Sequence, residues 1–518
     1  MTAARHRISD AATRSLAAAV LLLAFGAAAS AIAGTPPVAS EGRPPAAAQA
    51  PLAAAAPPEL SPAVADAFTL LDLWIAEHIA YHGWPGLALG VVYQGELIWS
   101  RGYGVSDLAT RTPVTPQTRF RLGSASKLFT ATAVLQLRDA GRLDLDDPVT
   151  RHLPGFAVHS PFPDALPVTL RHVLTHTAGL PREGDFPYWT THDFPTAAEV
   201  LAVARNQSLL HPPGERYGYS NLGIALLGQV VAAVSGQPWA RYVDEQILVP
   251  LGMTRSAADP TLAQRRGMAS GYMRRLPDGS RRAHDYYPTR GLAPAAAVTS
   301  TVEDLARFAA LHLRDEPQEE RPEPVLAGHT VREMRRPQVV HEGWNGGRGL
   351  GFGILRVEGE TLVTHGGWIG GHRSHLLLDP DAELAVVAMT NADDMSPWFF
   401  SRRAWELAAG ALAETPDAER PKPDPAWQRY LGLYSDPWGW EYRVLLLGGE
   451  LVVYEHDYPP AAEPTAGVSR LRPRPDGSFL MPDGEPLAFE IGPDGRVERI
   501  RRRSEYLYPV PRPAGGTP

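Results

Sequence analysis

Strand-type patterns stand at both ends of a long helical stretch, and this distribution limits the folds open to the chain. Residues 87–93 and 97–100 flank Gln94-Gly95-Glu96, a hairpin signal. Strand patterns then return at 351–355, 361–365, 375–378 and 384–389. Between the two groups, helical periodicity runs over 127–140 (with Gly141 suited to the C-terminal cap), 170–174, 197–205, 222–234 (ended by Ser235-Gly236), 241–247 and 302–313. One more amphipathic helix, 63–81, precedes the first hairpin and is stopped by Gly83 and Pro85. An α+β domain follows, in which helices cover a sheet that joins the two ends of the body. No repeat of fixed period is present.

The flanks differ in composition from this body. Arg5, Arg7 and Arg14 precede an uncharged run, 16–33, that ends in small residues with Ala29-Ser30-Ala31 and Ala31-Ile32-Ala33 as cleavage sites. That is the pattern of a secretory signal peptide over 1–33, so export to the periplasm or medium is predicted. An uncleaved membrane anchor is the alternative, since a run of this length just spans a bilayer. Residues 34–61 are Ala- and Pro-rich and read as a linker. A second linker, 413–425, is rich in Pro, Asp and Glu. Beyond it, 426–511 alternates short strand patterns with Pro-Asp-Gly turns at 475–477, 482–484 and 493–495, which predicts a small antiparallel barrel or sandwich that packs on the body or gates substrate. Arg499, Arg501, Arg502 and Arg503 there read as a solvated strand face or an edge guard rather than an anion-binding patch.

Composition removes several function classes. With no cysteine the chain has no disulfide, thiol nucleophile or iron–sulfur centre. A net charge of −8 argues against nucleic acid as a partner. Of 49 basic residues only Lys127 and Lys422 are lysine. Lys422 lies in a Pro-rich stretch and carries no further reading. Lys127 is different, because a buried ammonium can lose its proton where a guanidinium cannot.

Lys127 belongs to Arg121-Leu122-Gly123-Ser124-Ala125-Ser126-Lys127-Leu128, which holds a Ser-x-x-Lys pattern at a helix start. Side chains three apart on a helix share a face, with Cβ atoms about 5–6 Å apart. A serine hydroxyl is a weak nucleophile unaided, and a neutral amine within reach can take its proton. That requires burial to lower the amine from a reference near 10.4. A second candidate, Pro213-Gly214-Glu215-Arg216-Tyr217-Gly218-Tyr219-Ser220-Asn221, offers a phenol to relay a proton and, two residues on, an amide to hold a substrate carbonyl or the lysine; a capping loop is the plain alternative. A third, Val363-Thr364-His365-Gly366-Gly367-Trp368, places a histidine on a strand and then removes side chains, so that a substrate can lie against the strand edge and the Trp368 N–H can face an oxyanion; a structural histidine beside a bend is the alternative.

These three motifs, in this order and about 95 and 145 residues apart, resemble those of the serine β-lactamase, D,D-peptidase and esterase superfamily, particularly its class C-like branch. The likeness extends to Pro85-Gly86, to the run from Gly141 to Val149, and to Leu174-Thr175-His176-Thr177-Ala178-Gly179-Leu180. It covers roughly 62–412 and implies a β-lactamase/transpeptidase-like fold, an antiparallel sheet flanked by helices with a helical subdomain. The trailing module resembles barrels appended to some of these hydrolases. By resemblance, Ser124 is the acylated nucleophile, Lys127 its base, and Tyr219 the proton shuttle and activator of the deacylating water. Asn221, His365, Gly366, Gly367 and Trp368 bind substrate, with the Ser124 and Trp368 amides forming the oxyanion hole. His176 belongs to the same signature and reads as structural.

One departure bears on substrate. β-Lactamases and penicillin-binding proteins carry Lys-Thr-Gly or Lys-Ser-Gly at the third motif, where this chain has His365-Gly366-Gly367. Arg373 is near enough in sequence to replace the lost cation. The expected activity is therefore an exported serine hydrolase that forms an acyl-enzyme with a small ester or peptide-like amide, of esterase, D-amino-acid peptidase or amidase type. The alternatives are a non-catalytic descendant binding cell-wall peptides or proteins and, less so, a true β-lactamase. An α/β-hydrolase is excluded because no Gly-x-Ser-x-Gly occurs. No cofactor is expected. Metal binding by His78 and His82, or by His365, His372 and His375, is disfavoured; oligomeric state is not legible.

Overall fold

The computed structural model describes residues 60–313, 325–414, 421–456 and 459–511. The predicted signal segment, most of the first linker and residues 415–420 of the second fall outside the described residues. Helix α1 (Pro62–His82) begins where the Ser61 hydroxyl accepts the Val64 N–H and ends at Gly83 in the left-handed conformation, φ 58°. Strands β1 (Gly86–Tyr93) and β2 (Glu96–Asp107) form the expected hairpin, followed by the short β3 (Thr112–Pro113). A two-stranded sheet, β4 (Phe120–Arg121) with β5 (Thr299–Ser300), is separate. The late strands are β6 (Val339–Val340), β7 (Gly346–Arg348), β8 (Gly353–Val357), β9 (Glu360–Ile369), β10 (His372–Asp379) and β11 (Leu384–Thr390).

The main sheet has the order β3-β2-β1-β11-β10-β9-β8-β7-β6. The early hairpin joins the late strands through the antiparallel pairing of β1 with β11, with Leu89 opposite Ala388. The two chain ends meet there, as the strand distribution required. Side chains alternate between faces: Ala88, Val92, Val387 and Met389 enter one core with the central helices, whereas Leu87, Leu89, Val91, Val386 and Ala388 enter another with α1 and the last helix. On the first face lie α2 (Ser126–Asp139), α3 (Asn221–Ser235) and α4 (Val302–Leu313). α2 is buried from Ser126 to Leu135, the pattern of a helix surrounded by protein rather than lying on it.

Three local features differ from the sequence reading. Helix α5 (Pro397–Ala413) packs on α1 and was not anticipated, although Pro397 at its first turn and Phe400, Ala404, Ala408 and Ala411 at helical spacing are its signal. Strand β9 runs on to Ile369, past the strand pattern that ends at His365. Pairing of Gly366 with His375 and Gly367 with Ser374 outweighs the weak strand propensity of glycine, and the reversal is confined to Gly370 and Gly371, both at positive φ. The helix expected at 241–247 is α-helical over Trp239–Val243 and then widens into a π turn, Asp244–Leu248.

The C-terminal strands β12 (Gly432–Ser435), β13 (Glu441–Leu447), β14 (Glu450–Glu455), β15 (Val468–Arg470), β16 (Arg472–Pro473), β17 (Phe479–Leu480), β18 (Pro486–Ile491), β19 (Val497–Arg502) and β20 (Glu505–Pro509) form one sheet in the order β15-β14-β13-β12-β20-β19-β18-β17-β16. Its two outer strands are separated in sequence by Leu471 alone, so the edges meet and the sheet is a nearly closed barrel. The barrel rests on α1 through Leu447, Val452 and Tyr454 around Leu70, and Ala461 O accepts the Trp74 indole N–H at 2.8 Å. These contacts lie on the face of the main sheet away from α2, which favours packing over gating. The arginine cluster sits on β19, an interior strand, so it guards no edge. Arg499 and Arg501 pair with Glu490 at 2.6 and 3.1 Å, Arg502 with Asp483 at 2.5 Å and Arg503 with Glu485 at 3.2 Å.

Candidate active site

Strand β9 pairs with β8 only as far as Thr364, opposite Gly353, but continues against β10 to Ile369. Its last five residues therefore lack a strand on one side, and a 3₁₀ turn, Gly123–Ala125, lies against them at the start of α2. The turn is pinned by Leu122, whose N–H donates to Val298 O at 2.8 Å and whose carbonyl accepts the Ser374 hydroxyl at 2.6 Å. Contact is so close that neither partner tolerates a side chain. A Cβ at Gly367 would stand 1.8 Å from Leu122 O, and one at Gly123, which has φ +55°, would stand 2.6 Å from the Trp368 nitrogen. The glycines thus bring the Ser124 turn and the Trp368 backbone side by side.

Ser124 is half-buried on this turn. The Lys127 ammonium nitrogen lies 3.1 Å from its Oγ and 2.9 Å from the Ala295 carbonyl. Lys127 is 1% exposed, and burial lowers its pKa from that of an ordinary lysine, opposed by the Tyr219 phenol and the Glu183 charge. The Tyr219 ring centre is 5.0 Å from the amine.

Tyr219 and Asn221 are delivered by the start of α3. The Ser220 hydroxyl caps the helix by accepting the Gly223 N–H at 2.9 Å and donates to Pro181 O at 2.7 Å. His176 braces the same loop: its Nδ1 accepts the Ser220 N–H at 3.2 Å, its carbonyl accepts the Gly218 N–H at 2.7 Å, and its ring packs 4.5 Å from that of Tyr219. Burial and the neighbouring Lys127 hold His176 well below the usual histidine range, so the imidazole is neutral and Nδ1 can accept. Asn221 donates from Nδ2 to Glu183 Oε1 at 2.6 Å. A carboxylate only accepts, which fixes the orientation of the Asn221 amide. Glu183 also receives the Trp189 indole N–H at 3.0 Å and the Tyr188 hydroxyl.

His365 projects to the same side of the sheet as Lys127. Its Nδ1–H donates to Gly366 O at 2.7 Å, and burial together with the charge of Lys127 lowers its pKa to about 3. A neutral ring therefore stands where the motif departure removed a cation. Arg373 does not supply one: residues alternate along β10, and Arg373 shares the opposite face with His375 and Leu377, bonded to Asp393 O at 3.2 Å. Two cations stand on the Ser124 side: Arg182, 4.9 Å over the Tyr219 ring, and Arg348 on β7, which sits 4.3 Å over the Tyr217 ring, donates to its hydroxyl at 2.5 Å, and depresses the pKa of both His176 and His365. Trp368 is 61% exposed and its indole donates to Asp393 at 2.5 Å.

Glu183 and Arg348 were missed by sequence reasoning. Glu183 follows the His176 signature by seven residues, and Arg348 ends a Gly-Gly-Arg strand remote from every motif. The histidines weighed as metal ligands diverge. His375 is held by Thr364 and Ser401 at 2.7 Å each on the α5 side, His372 packs against Phe120, and His78 bonds its own helix at Trp74 O. Among the described residues no three His, Asp or Glu side chains gather as a metal site.

A protein-family model described as Beta-lactamase matches residues 71–411. Penicillin-binding protein 4 of Amycolatopsis lactamdurans is 32% identical over 359 residues, 66% of this chain and 91% of its own length. Among solved structures, the octameric penicillin-binding protein homologue from Pyrococcus abyssi aligns over 85% of this chain and 99% of its own, with TM-score 0.59 and 24% identity. The β-lactamase/D-alanine carboxypeptidase from Yersinia pestis, solved with citrate, aligns over 67% and 98%, with TM-score 0.55 and 23% identity.

Proposed function

Since the chain belongs to the Beta-lactamase family and is a serine hydrolase or acyl-transferase of that kind, we propose that it is an exported hydrolase that acylates Ser124 with an ester or a peptide-like amide. The observation that carries this reading is the buried Lys127 amine 3.1 Å from the Ser124 hydroxyl. In its neutral form the amine takes the hydroxyl proton as Oγ bonds to the substrate carbonyl carbon. The carbonyl π electrons move onto oxygen, and the Ser124 and Trp368 amides, brought together by Gly123 and Gly367, receive that charge. Collapse breaks the bond to the leaving group, which departs with the proton carried by Lys127 and relayed through the Tyr219 phenol. Water then gives a proton to the same pair and attacks the acyl carbon, returning Ser124 and releasing the acid.

Asn221 and the edge of β9 from His365 to Trp368 hold the acyl chain. With His365 neutral and Gly366 in place of a hydroxyl residue, the site lacks the usual anchor for a β-lactam carboxylate, so esterase, D-amino-acid peptidase or amidase chemistry is favoured over antibiotic hydrolysis. Export rests on the basic and apolar pattern of residues 1–33.

Mass spectrometry after incubation with a fluorophosphonate tests the central claim, with a penicillin as second probe because the Amycolatopsis relative is named for binding one. Wild-type protein gains the phosphonyl adduct on Ser124, and Ser124→Ala abolishes both the adduct and turnover of p-nitrophenyl esters. An unlabelled Ser124 in folded protein would leave the non-catalytic binding reading in its place.

A further inference from the structure

Arg121 ends β4, three residues before Ser124, and is 2% exposed. Its guanidinium donates to Tyr287 O at 3.0 Å and lies 4.5 and 4.9 Å from the ring centres of Tyr286 and Tyr287. Nε has no partner, and among the described residues no carboxylate makes an ion pair with it; Asp259 acts on it only through space. A guanidinium cannot shed its proton. Burying one with no carboxylate in contact is costly, and native structures rarely carry that cost for nothing.

The unpaired charge borders a cavity of about 200 Å³. On the same wall stands His372, 2% exposed, with Nδ1 also unpartnered. Arg265 adds a second guanidinium, 3.9 Å over the Tyr286 ring. Gly271 and Gly370 complete the floor: a Cβ on Gly271 would stand 1.9 Å from Gly370 O, and one on Gly370 would stand 3.4 Å from Arg121 Nη1. Asp285, exposed at the rim, is the acidic residue among those lining the cavity. The nearby Asp393 is already engaged by His284 at 2.8 Å and by the Trp368 indole. Two guanidinium groups and an imidazole thus line one small space.

We propose that this cavity binds a small organic carboxylate, its oxygens held by the Arg121 and Arg265 guanidiniums and its apolar body lodged against Met268 and Ala269. The carboxylate has two sources, a free metabolite-sized acid or the acid that the hydrolase itself releases. Either leaves the claim about Ser124 untouched, because the cavity groups are not those that move the proton.

Benzoate is the probe and benzamide its neutral counterpart, titrated by calorimetry into full-length Ser124→Ala protein so that turnover plays no part. Saturable binding of benzoate is expected, with benzamide weaker by about tenfold or more, since charge-assisted bonds to two guanidinium groups are lost. Arg265→Gln, at a half-exposed position that need not disturb the core, is expected to weaken benzoate by about tenfold, and Arg121→Gln by more. Equal affinity for benzamide, unchanged benzoate affinity in Arg265→Gln, or no saturation in the millimolar range overturns the proposal. Survival of binding in wild-type protein blocked by a fluorophosphonate, with non-competitive inhibition of ester turnover, identifies a free acid as the occupant. Competitive inhibition of ester turnover by benzoate, with calorimetric binding lost once Ser124 is blocked, identifies the released acid.

Discussion

Gly367→Ala tests whether the contact between strand and turn creates the oxyanion site. The added methyl would lie 1.8 Å from Leu122 O and 2.8 Å from Ser374 Oγ. The serine can rotate away, but the carbonyl belongs to backbone held at both ends by Val298 and Ser374. Ordinary contact begins at 3.4 Å, so the turn and β9 must separate by 3.4 − 1.8 = 1.6 Å. That displacement acts between the Ser124 and Trp368 amides. Loss of one oxyanion donor costs about 10²–10³ in kcat, and misplacement of about 1 Å costs roughly 10². Overpacking of this kind costs about 1–3 kcal/mol of stability, so the variant should still fold. The assay is kcat/KM for p-nitrophenyl acetate, with thermal melting as the check on folding. Gly410→Ala, on α5 and outside the site, is the control, because a Cβ there meets nothing within 4 Å and the residue is exposed. We expect Gly367→Ala to lose about 10²–10³ in kcat/KM while Gly410→Ala stays within about threefold of wild type. Comparable rates for both variants would refute the assignment of the Trp368 amide.

Further expectations concern proton positions. Lys127→Arg keeps a charge but cannot act as a base, so ester kcat/KM should fall by about 10³ or more, and retention of a tenth of the rate would contradict the mechanism. In the wild type, kcat/KM should rise as Lys127 loses its proton and level off below pH 10.5, the ordinary lysine value from which burial lowers it; a limb still climbing above that pH would count against the buried base. Glu183→Gln removes a charge that raises the Lys127 pKa, so the acid limb should move to lower pH while the Asn221 amide, no longer facing a group that only accepts, loses its fixed orientation; an unmoved limb in active protein argues that Glu183 is merely structural. Finally, His312, His365, His372 and His375 are each lowered to about 3 by burial. The unfolded chain takes up these protons below about pH 6.5 while the native state does not, so stability is intact above that pH and is lost as pH falls toward 3, by about 3 kcal/mol per histidine at pH 4. Thermal melts from pH 7 to 4 should show this, with His375→Gln flattening the profile; a melting temperature constant over that range would contradict it.

Much of the candidate site was legible because its spacing is local. Ser124 and Lys127 share a helical turn, and Tyr219 and Asn221 flank a Ser220 cap, so short-range geometry fixes each pair before any tertiary contact forms. Residues whose role depends on the face of a strand were not legible in this way. Arg373 is the nearer cation in sequence, yet the period-two alternation of β10 turns it away, while Arg348 reaches the Ser124 side from another strand. The polar bracket around Asn221 was hidden for a related reason, since a carboxylate in a loop declares its partner only when the loop closes.

The sequence by itself determined the α+β arrangement, the three motifs and the trailing barrel, because hydrophobic period, turn chemistry and residue type are properties of contiguous segments. Tertiary structure decided which side chains converge: it set Gly123 against Trp368, left His365 neutral beside Lys127, placed the barrel behind the sheet, and enclosed Arg121 without a counter-ion. Those outcomes depend on burial and on distances between segments far apart in the chain, and neither quantity is written in any local window of residues.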